Sequence, residues 1–179
     1  MTNGKLLFII AHEGFQHKEY GETKRLLEQA GYSVVTASDG ESPATGNDDS
    51  KATVDILLDK VNPHRYHGIF FIGGPGTLEH LDNEISYRIA QEAAKANLPL
   101  GAICIATRIL AKSGALKDRH ATGWNGDNKL EAIYQQYRVI FSREPVEVDE
   151  NIVTATGPDA AEEFAQKIIQ IIQDHKGWG

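Results

Sequence analysis

Cysteine is almost missing from this chain: among 179 residues only Cys104 is one. A lone thiol excludes an internal disulfide and a cysteine-rich zinc site. Basic charge is also scarce, with 18 Lys and Arg against 25 Asp and Glu, for a formal net charge of -7. Lacking a basic tract, the chain is not expected to bind nucleic acid or an anionic membrane. No apolar run is long enough to cross a bilayer. The opening Met-Thr-Asn-Gly-Lys leads straight into a strand pattern, without the cleavage region of a signal peptide, so a cytoplasmic protein is expected. The 7 histidines show no pairing with carboxylates at ligand spacing, and His64 and His67 sit in a Pro-containing turn; no metal or other cofactor is expected. Repeats, low-complexity runs and linkers are absent too. The hydrophobic share of 41% and charged share of 24% are ordinary for a soluble globular chain. One domain, 1–179, burying about 70% of its unfolded surface, is the expectation.

What is present is an alternation of apolar runs and helix patterns. Lys5–Ala11 and Gly68–Ile72 are continuous apolar runs, as parallel strands covered on both faces require. Tyr32–Ala37 is β-branched and reads as another strand. Helix spacing places Leu26, Leu27 and Ala30 on one side of a helix stopped by Gly31, Val54, Leu57, Leu58 and Val61 on a helix over 53–61, and Ile85, Ile89, Ala93 and Ala96 on one over 83–97. Asp39–Ser50 reads as a polar, turn-rich loop and the chain's mobile surface segment. A short strand is predicted around Ala121–Trp124, then a helix over 128–137, then one or two short strands in Val139–Val148 and Asn151–Ala155. Pro158 opens the terminal helix, whose apolar positions are Phe164, Ile168, Ile171 and Ile172. The pattern predicts a three-layer α/β sandwich with a mostly parallel sheet, whose sites form beyond the carboxyl ends of its strands.

Leu98–Thr107 organises that edge. An apolar run ends at Cys104 and turns directly into a helix pattern that stops at Gly114. A side chain at such a bend is lifted from the backbone path, and a thiol there gains from the positive end of the helix dipole. Cys104 is therefore a candidate nucleophile, and equally a candidate small core residue. Gly73-Gly74 follows a strand, so its backbone can approach a ligand and, with the N–H of Ile105, form an oxyanion hole. The loop after the first strand offers His12, Glu13, His17 and Glu19. Glu19, at the mouth of a helix, can reach back over the sheet edge. A carboxyl beside a thiol settles by holding the proton, and the acid then donates a hydrogen bond to sulfur.

These stretches, taken together, resemble the DJ-1/PfpI superfamily. Glu-Gly-Phe-Gln-His-Lys-Glu-Tyr after the first strand, Gly-Ile-Phe-Phe-Ile-Gly-Gly-Pro-Gly, Gly-Ala-Ile-Cys with its helix, and Ile-Val-Thr-Ala-Thr-Gly-Pro follow in order over nearly the whole chain. The resemblance implies a flavodoxin-like sandwich that is a homodimer or higher oligomer. It makes Cys104 the elbow nucleophile, Glu19 its hydrogen-bonding acid, and Gly74 and Ile105 the oxyanion-hole positions. Glu79 lies near where the protease-like branch lends a carboxylate to a neighbouring subunit.

Departures from the pattern narrow the chemistry. Ile105 replaces the histidine that follows the cysteine in the protease-like branch, so an adjacent Cys-His dyad is impossible. No His-x-Glu stands near Thr154–Pro158, which argues against glutamine hydrolysis. Trp124 takes the place of the DJ-1-like branch's histidine, with His120 nearby; Trp124 and Asn125 are candidates to line the pocket, and His12 and His17 to act as bases. Two readings follow. In one, Cys104 attacks a small carbonyl or acyl substrate in glyoxalase, deglycase or hydrolase-like chemistry. In the other, the protein is a redox-responsive stress protein whose Cys104 is oxidised to a sulfinate.

Overall fold

Side chains that alternate between two covered faces fix the centre of this molecule. Along β1 (Lys5–Ile10), Leu6, Phe8 and Ile10 turn to one cluster and Leu7 and Ile9 to the other, the two-residue period of a strand buried on both sides. The computed structural model describes residues 2–176. After β1 come β2 (Glu13–Phe15), α1 (His17–Gln29), β3 (Ser33–Ser38), β4 (Ala44–Gly46), β5 (Lys51–Ala52), β6 (Ile56–Leu57) and β7 (Gly68–Phe71). The chain continues through α2 (Thr77–Leu81), α3 (Glu84–Lys95), β8 (Leu100–Ile103), α4 (Thr107–Ser113), β9 (His120–Ala121) and α5 (Leu130–Gln136). It finishes with β10 (Ile140–Phe141), β11 (Val146–Asp149), β12 (Ile152–Ala155) and α6 (Ala161–Lys176).

Seven strands form one sheet in the order β11-β12-β8-β7-β1-β3-β6, parallel throughout except for β11. Leu27 of α1 and Phe164 and Ile168 of α6 cover one face, packing with Phe8 and Phe70. Ile89 and Ala93 of α3 and Ile109 and Leu110 of α4 cover the other, with Leu7, Ile9 and Phe71. This is the expected three-layer sandwich. Among the described residues, no helix is long and apolar enough to cross a membrane.

Three local expectations are corrected. The helix over 53–61 is instead β6 followed by a single 3-10 turn, Leu58–Lys60. The sheet edge captures this segment: Asp55 donates its N–H to the Thr36 carbonyl at 2.8 Å, its carboxylate accepts from the Thr36 N–H at 2.8 Å, and Ala37 pairs with Ile56. Ladder pairing outweighs the helical spacing of Leu57, Leu58 and Val61. The 39–50 loop is partly ordered, because β4 lies between β2 and β5, with the Thr45 N–H on the His12 carbonyl and the Asn47 N–H on the Phe15 carbonyl, both at 2.8 Å. The strand around 121–124 ends at Ala121, since Thr122 and Trp124 turn their N–H groups to Thr154 Oγ1 and to the Cys104 carbonyl. Helix α2, squeezed between the glycine turn and α3, carries too few residues to show a periodicity.

Strands β1, β7 and β8 are adjacent and parallel, so their carboxyl ends open on one edge. There the Gln16 N–H donates to the Gly73 carbonyl at 2.8 Å and the Gly76 N–H to the Gly14 carbonyl at 3.0 Å. The loops that follow β1 and β7 are thereby tied together at the edge where β8 ends in Cys104.

Candidate active site

Cys104 stands at the joint between β8 and a 3-10 turn, Cys104–Ala106, that leads into α4. Its φ is +62°, in the left-handed region that non-glycine residues rarely occupy. That backbone is what a sharp strand-to-helix bend requires. The carbonyl of Cys104 accepts from Thr107 Oγ1 at 3.0 Å and from the Trp124 N–H at 3.2 Å, which fixes the bend from below. The residue is 9% exposed. Its thiol opens on a cleft of about 350 Å³ lined by Gln16, Gly74, Pro75, Ile105, Trp124 and Pro158. A larger hollow of about 450 Å³ beside Lys5, Val35 and Tyr66 lies at the opposite end of β1 and contains none of the candidate groups.

Glu19 does not line the cleft; it stands behind the sulfur, fully buried in the first turn of α1. Gly73 is where the two meet. A β-carbon at Gly73 would fall 2.7 Å from Cys104 Cβ and 3.0 Å from Glu19 Oε2, so only a bare α-carbon leaves room for both. Among the described residues, neither carboxyl oxygen reaches a partner at full hydrogen-bond geometry. Burial therefore dominates, and the proximity of the Cys104 thiol and the Gly73 N–H offsets it only in part: the carboxyl is pushed up to about 8. At neutral pH Glu19 holds its proton and is a donor. Burial also pushes the Cys104 thiol up, and a charged Glu19 would push it further, while the Ile105 N–H and the Arg108 cation pull it down. Protonation of Glu19 removes the repulsion and turns the same group toward stabilising the thiolate.

The glycine turn supplies the other wall. Gly74 has φ +141°, and a β-carbon there would lie 2.3 Å from the Gly14 carbonyl oxygen and 2.5 Å from the Gln16 nitrogen. No acceptor among the described residues takes the Gly74 N–H. The Ile105 N–H favours the charged form of the sulfur. Gly74 and Ile105 both line the cleft, so two backbone donors border it, the arrangement that can hold a developing oxyanion.

Thus Cys104, Glu19, Gly74, Ile105 and Trp124 are brought together, and the other candidates stand elsewhere. His12 directs Nε2 to the Glu41 carbonyl at 2.8 Å, and His17 directs Nδ1 to Asn47 Oδ1 at 2.8 Å. Glu79 is exposed on α2. His120 is exposed and pairs with Asp149, its N–H donating to Oδ2 at 2.8 Å. Asn125 accepts the Leu130 N–H at 2.9 Å and borders a neighbouring cleft of about 280 Å³ beyond Trp124. Among the described residues, no histidine lines the cleft at Cys104.

Sequence reasoning passed over Gln16 and Arg108. Gln16 caps α1, its side chain accepting the Glu19 N–H at 2.7 Å; glutamine is an unusual cap, so its type gives no signal. Arg108 had one: a charged residue in the apolar run of α4, one helical turn past the cysteine.

Comparison with known proteins agrees with this fold. Residues 4–171 match the profile of the DJ-1/PfpI family. An uncharacterized protein of Methanocaldococcus jannaschii is 30% identical over 174 residues, covering 97% of this chain and 84% of that protein. One from Staphylococcus aureus is 31% identical over 173 residues, covering 94% and 98%. A ThiJ/PfpI domain protein from Brachyspira murdochii superposes with a TM-score of 0.90 at 25% identity, covering 97% of this chain and 98% of that one. Toxoplasma gondii DJ-1, in an oxidized form, shares the fold with a TM-score of 0.81 at 22% identity, covering 94% and 90%. From a profile match over nearly its whole length and relatives at this level of identity, it follows that the chain belongs to the DJ-1/PfpI family.

Proposed function

We propose that Cys104 carries out covalent chemistry on a small carbonyl or acyl compound, of the glyoxalase, deglycase or hydrolase type. The observation that carries this reading is the thiol at a left-handed bend, open to a cleft in front and backed by a protonated Glu19. The sulfur adds to a carbonyl carbon, and the π pair moves onto the oxygen. The thiol proton ends on that oxygen, giving a hemithioacetal with an aldehyde. The N–H groups of Gly74 and Ile105 stabilise the oxyanion as it forms. Glu19 acts on the sulfur, not the substrate, by keeping the thiolate hydrogen-bonded while it attacks. The cleft, walled by Ile105, Trp124 and two prolines, suits a small and largely apolar molecule. With Ile105 beside the thiol, peptide hydrolysis through an adjacent dyad has no base. Incubation with methylglyoxal, which isomerises and takes up water to give lactate, tests the reading. Turnover lost in Cys104→Ser is expected; equal lactate formation by that variant overturns it.

A second reading is favoured by the same acid. Toxoplasma gondii DJ-1, which shares this fold, is known in an oxidized form, and a protonated Glu19 would donate equally to a sulfinate formed on Cys104 by peroxide. With one cysteine in the chain, oxidation cannot end in an internal disulfide. A stable two-oxygen adduct on Cys104 after mild peroxide, absent in Glu19→Ala, supports a redox-sensing role. Its absence in the wild type removes that role.

A further inference from the structure

One helical turn past Cys104, Arg108 is 4% exposed although it carries a charge. Its guanidinium grips Asp127 with two prongs, Nη1 to Oδ2 at 3.0 Å and Nη2 to Oδ1 at 2.7 Å. Nη2 also donates to the Trp124 carbonyl at 3.4 Å, and the cation lies 5.5 Å from the centroid of the Trp124 ring. Its Nε is sealed from solvent and has no partner among the described residues. Trp124 is tied in turn to the bend, its N–H donating to the Cys104 carbonyl at 3.2 Å. One buried cation is thus fixed between the helix that starts behind the sulfur and the loop that walls the cleft.

A buried guanidinium is costly unless its charge is met. Asp127 meets it from the solvent side, and the Arg108 guanidinium holds that carboxyl down to about 2, so the pair stays ionised over the working range. Among the described residues, a charged Glu19 from α1 pushes the thiol up and Arg108 from α4 pulls it down, with the Ile105 N–H as a neutral donor. Asp127 is the charge that faces Arg108 in turn.

Resting on the reading of Cys104 as the reactive group, we propose that Arg108 is a positioning residue with two effects. It biases the sulfur toward thiolate and holds Trp124 against the cleft, while Asp127, as its counter-charge, sets how strong that bias is. The two partners therefore act on the thiol with opposite sign.

Alkylation of Cys104 by iodoacetamide tests this without any substrate, since the chain has no other thiol. At pH 7, Arg108→Met is expected to slow alkylation about threefold or more, and Asp127→Asn, which keeps an acceptor but removes the charge, to speed it by a similar factor. A merely structural pair would not behave so: either change would loosen the Trp124 loop, and both would speed the reaction. Changes of the same sign, or an Arg108→Met variant that is folded by circular dichroism and no slower than wild type, overturn the proposal. Should Arg108→Met fail to fold, the pH midpoint of alkylation in Asp127→Asn decides, a lowered midpoint supporting the proposal and an unchanged one overturning it. Because no turnover is measured, failure here is distinguishable from failure of the catalytic reading.

Discussion

Gln16 holds Gly73 and Glu19 at the same time: its backbone N–H donates to the Gly73 carbonyl at 2.8 Å, and its side chain accepts the Glu19 N–H at 2.7 Å. The residue that caps α1 thereby also fixes the spacing between the acid and the glycine turn. Gln16→Ala is expected to cost about 1 kcal/mol through loss of the cap. Urea denaturation measures it, and Gln16→Ser, which restores a capping oxygen, should recover most of the loss.

Glu19 makes stability depend on pH in a direction opposite to that of most carboxylates. Its folded-state value is raised to about 8 from an ordinary 4.5, so the folded protein binds the extra proton. The stability it contributes is complete below about 4.5 and is lost as pH rises through about 8. Relative to Glu19→Gln, whose amide does not titrate, the wild type should lose up to about 1.4 kcal/mol per pH unit across that window. Urea unfolding of both proteins at pH 5, 6.5 and 8 checks this. Parallel profiles would mean that the carboxyl is not sealed from water.

Gly74 and Gly21 predict opposite outcomes for the same substitution. A methyl at Gly74 meets the Gly14 carbonyl oxygen at 2.3 Å on a backbone at φ +141°, and Gly74→Ala is expected to cost about 3 kcal/mol or more. At Gly21, within α1, a β-carbon meets nothing within 4 Å. Gly21→Ala should stabilise by about 0.5–1 kcal/mol. Thermal melts of the two variants separate them by sign.

Tyr134 donates its buried hydroxyl to the Thr122 carbonyl at 2.6 Å, anchoring α5 under the Trp124 loop. Tyr134→Phe leaves that carbonyl unpaired, at an expected cost of about 1–3 kcal/mol. Denaturant titration measures the loss, and faster alkylation of Cys104 would report the loosened loop.

The sheet and the three loops of its carboxyl edge were legible because strands buried on both faces leave an unmistakable run of apolar residues, as in β1, β7 and β8. Topology brings the ends of those strands together, and the resemblance to the DJ-1/PfpI family singles out Cys104, Glu19, Gly74 and Ile105 as the candidates at that edge. The 53–61 segment was misread because its fate is decided by Thr36, remote in sequence, whose backbone it pairs with. His12 and His17 looked free in sequence, yet the 41–48 segment engages both. The Arg108–Asp127 pair joins residues nineteen apart, and nothing local to either position announces the other.

Both margins of the main sheet discourage continuation by another strand. At one end β6 is only two residues long. At the other, β11 carries Glu147 and Asp149, and Asp149 is held by Arg119 Nη1 at 3.1 Å and by the His120 N–H at 2.8 Å. Short or charged borders resist the backbone-to-backbone zippering that drives aggregation. Self-association of this protein is thereby steered toward its helices and loops, and fibre-like growth along the sheet is disfavoured.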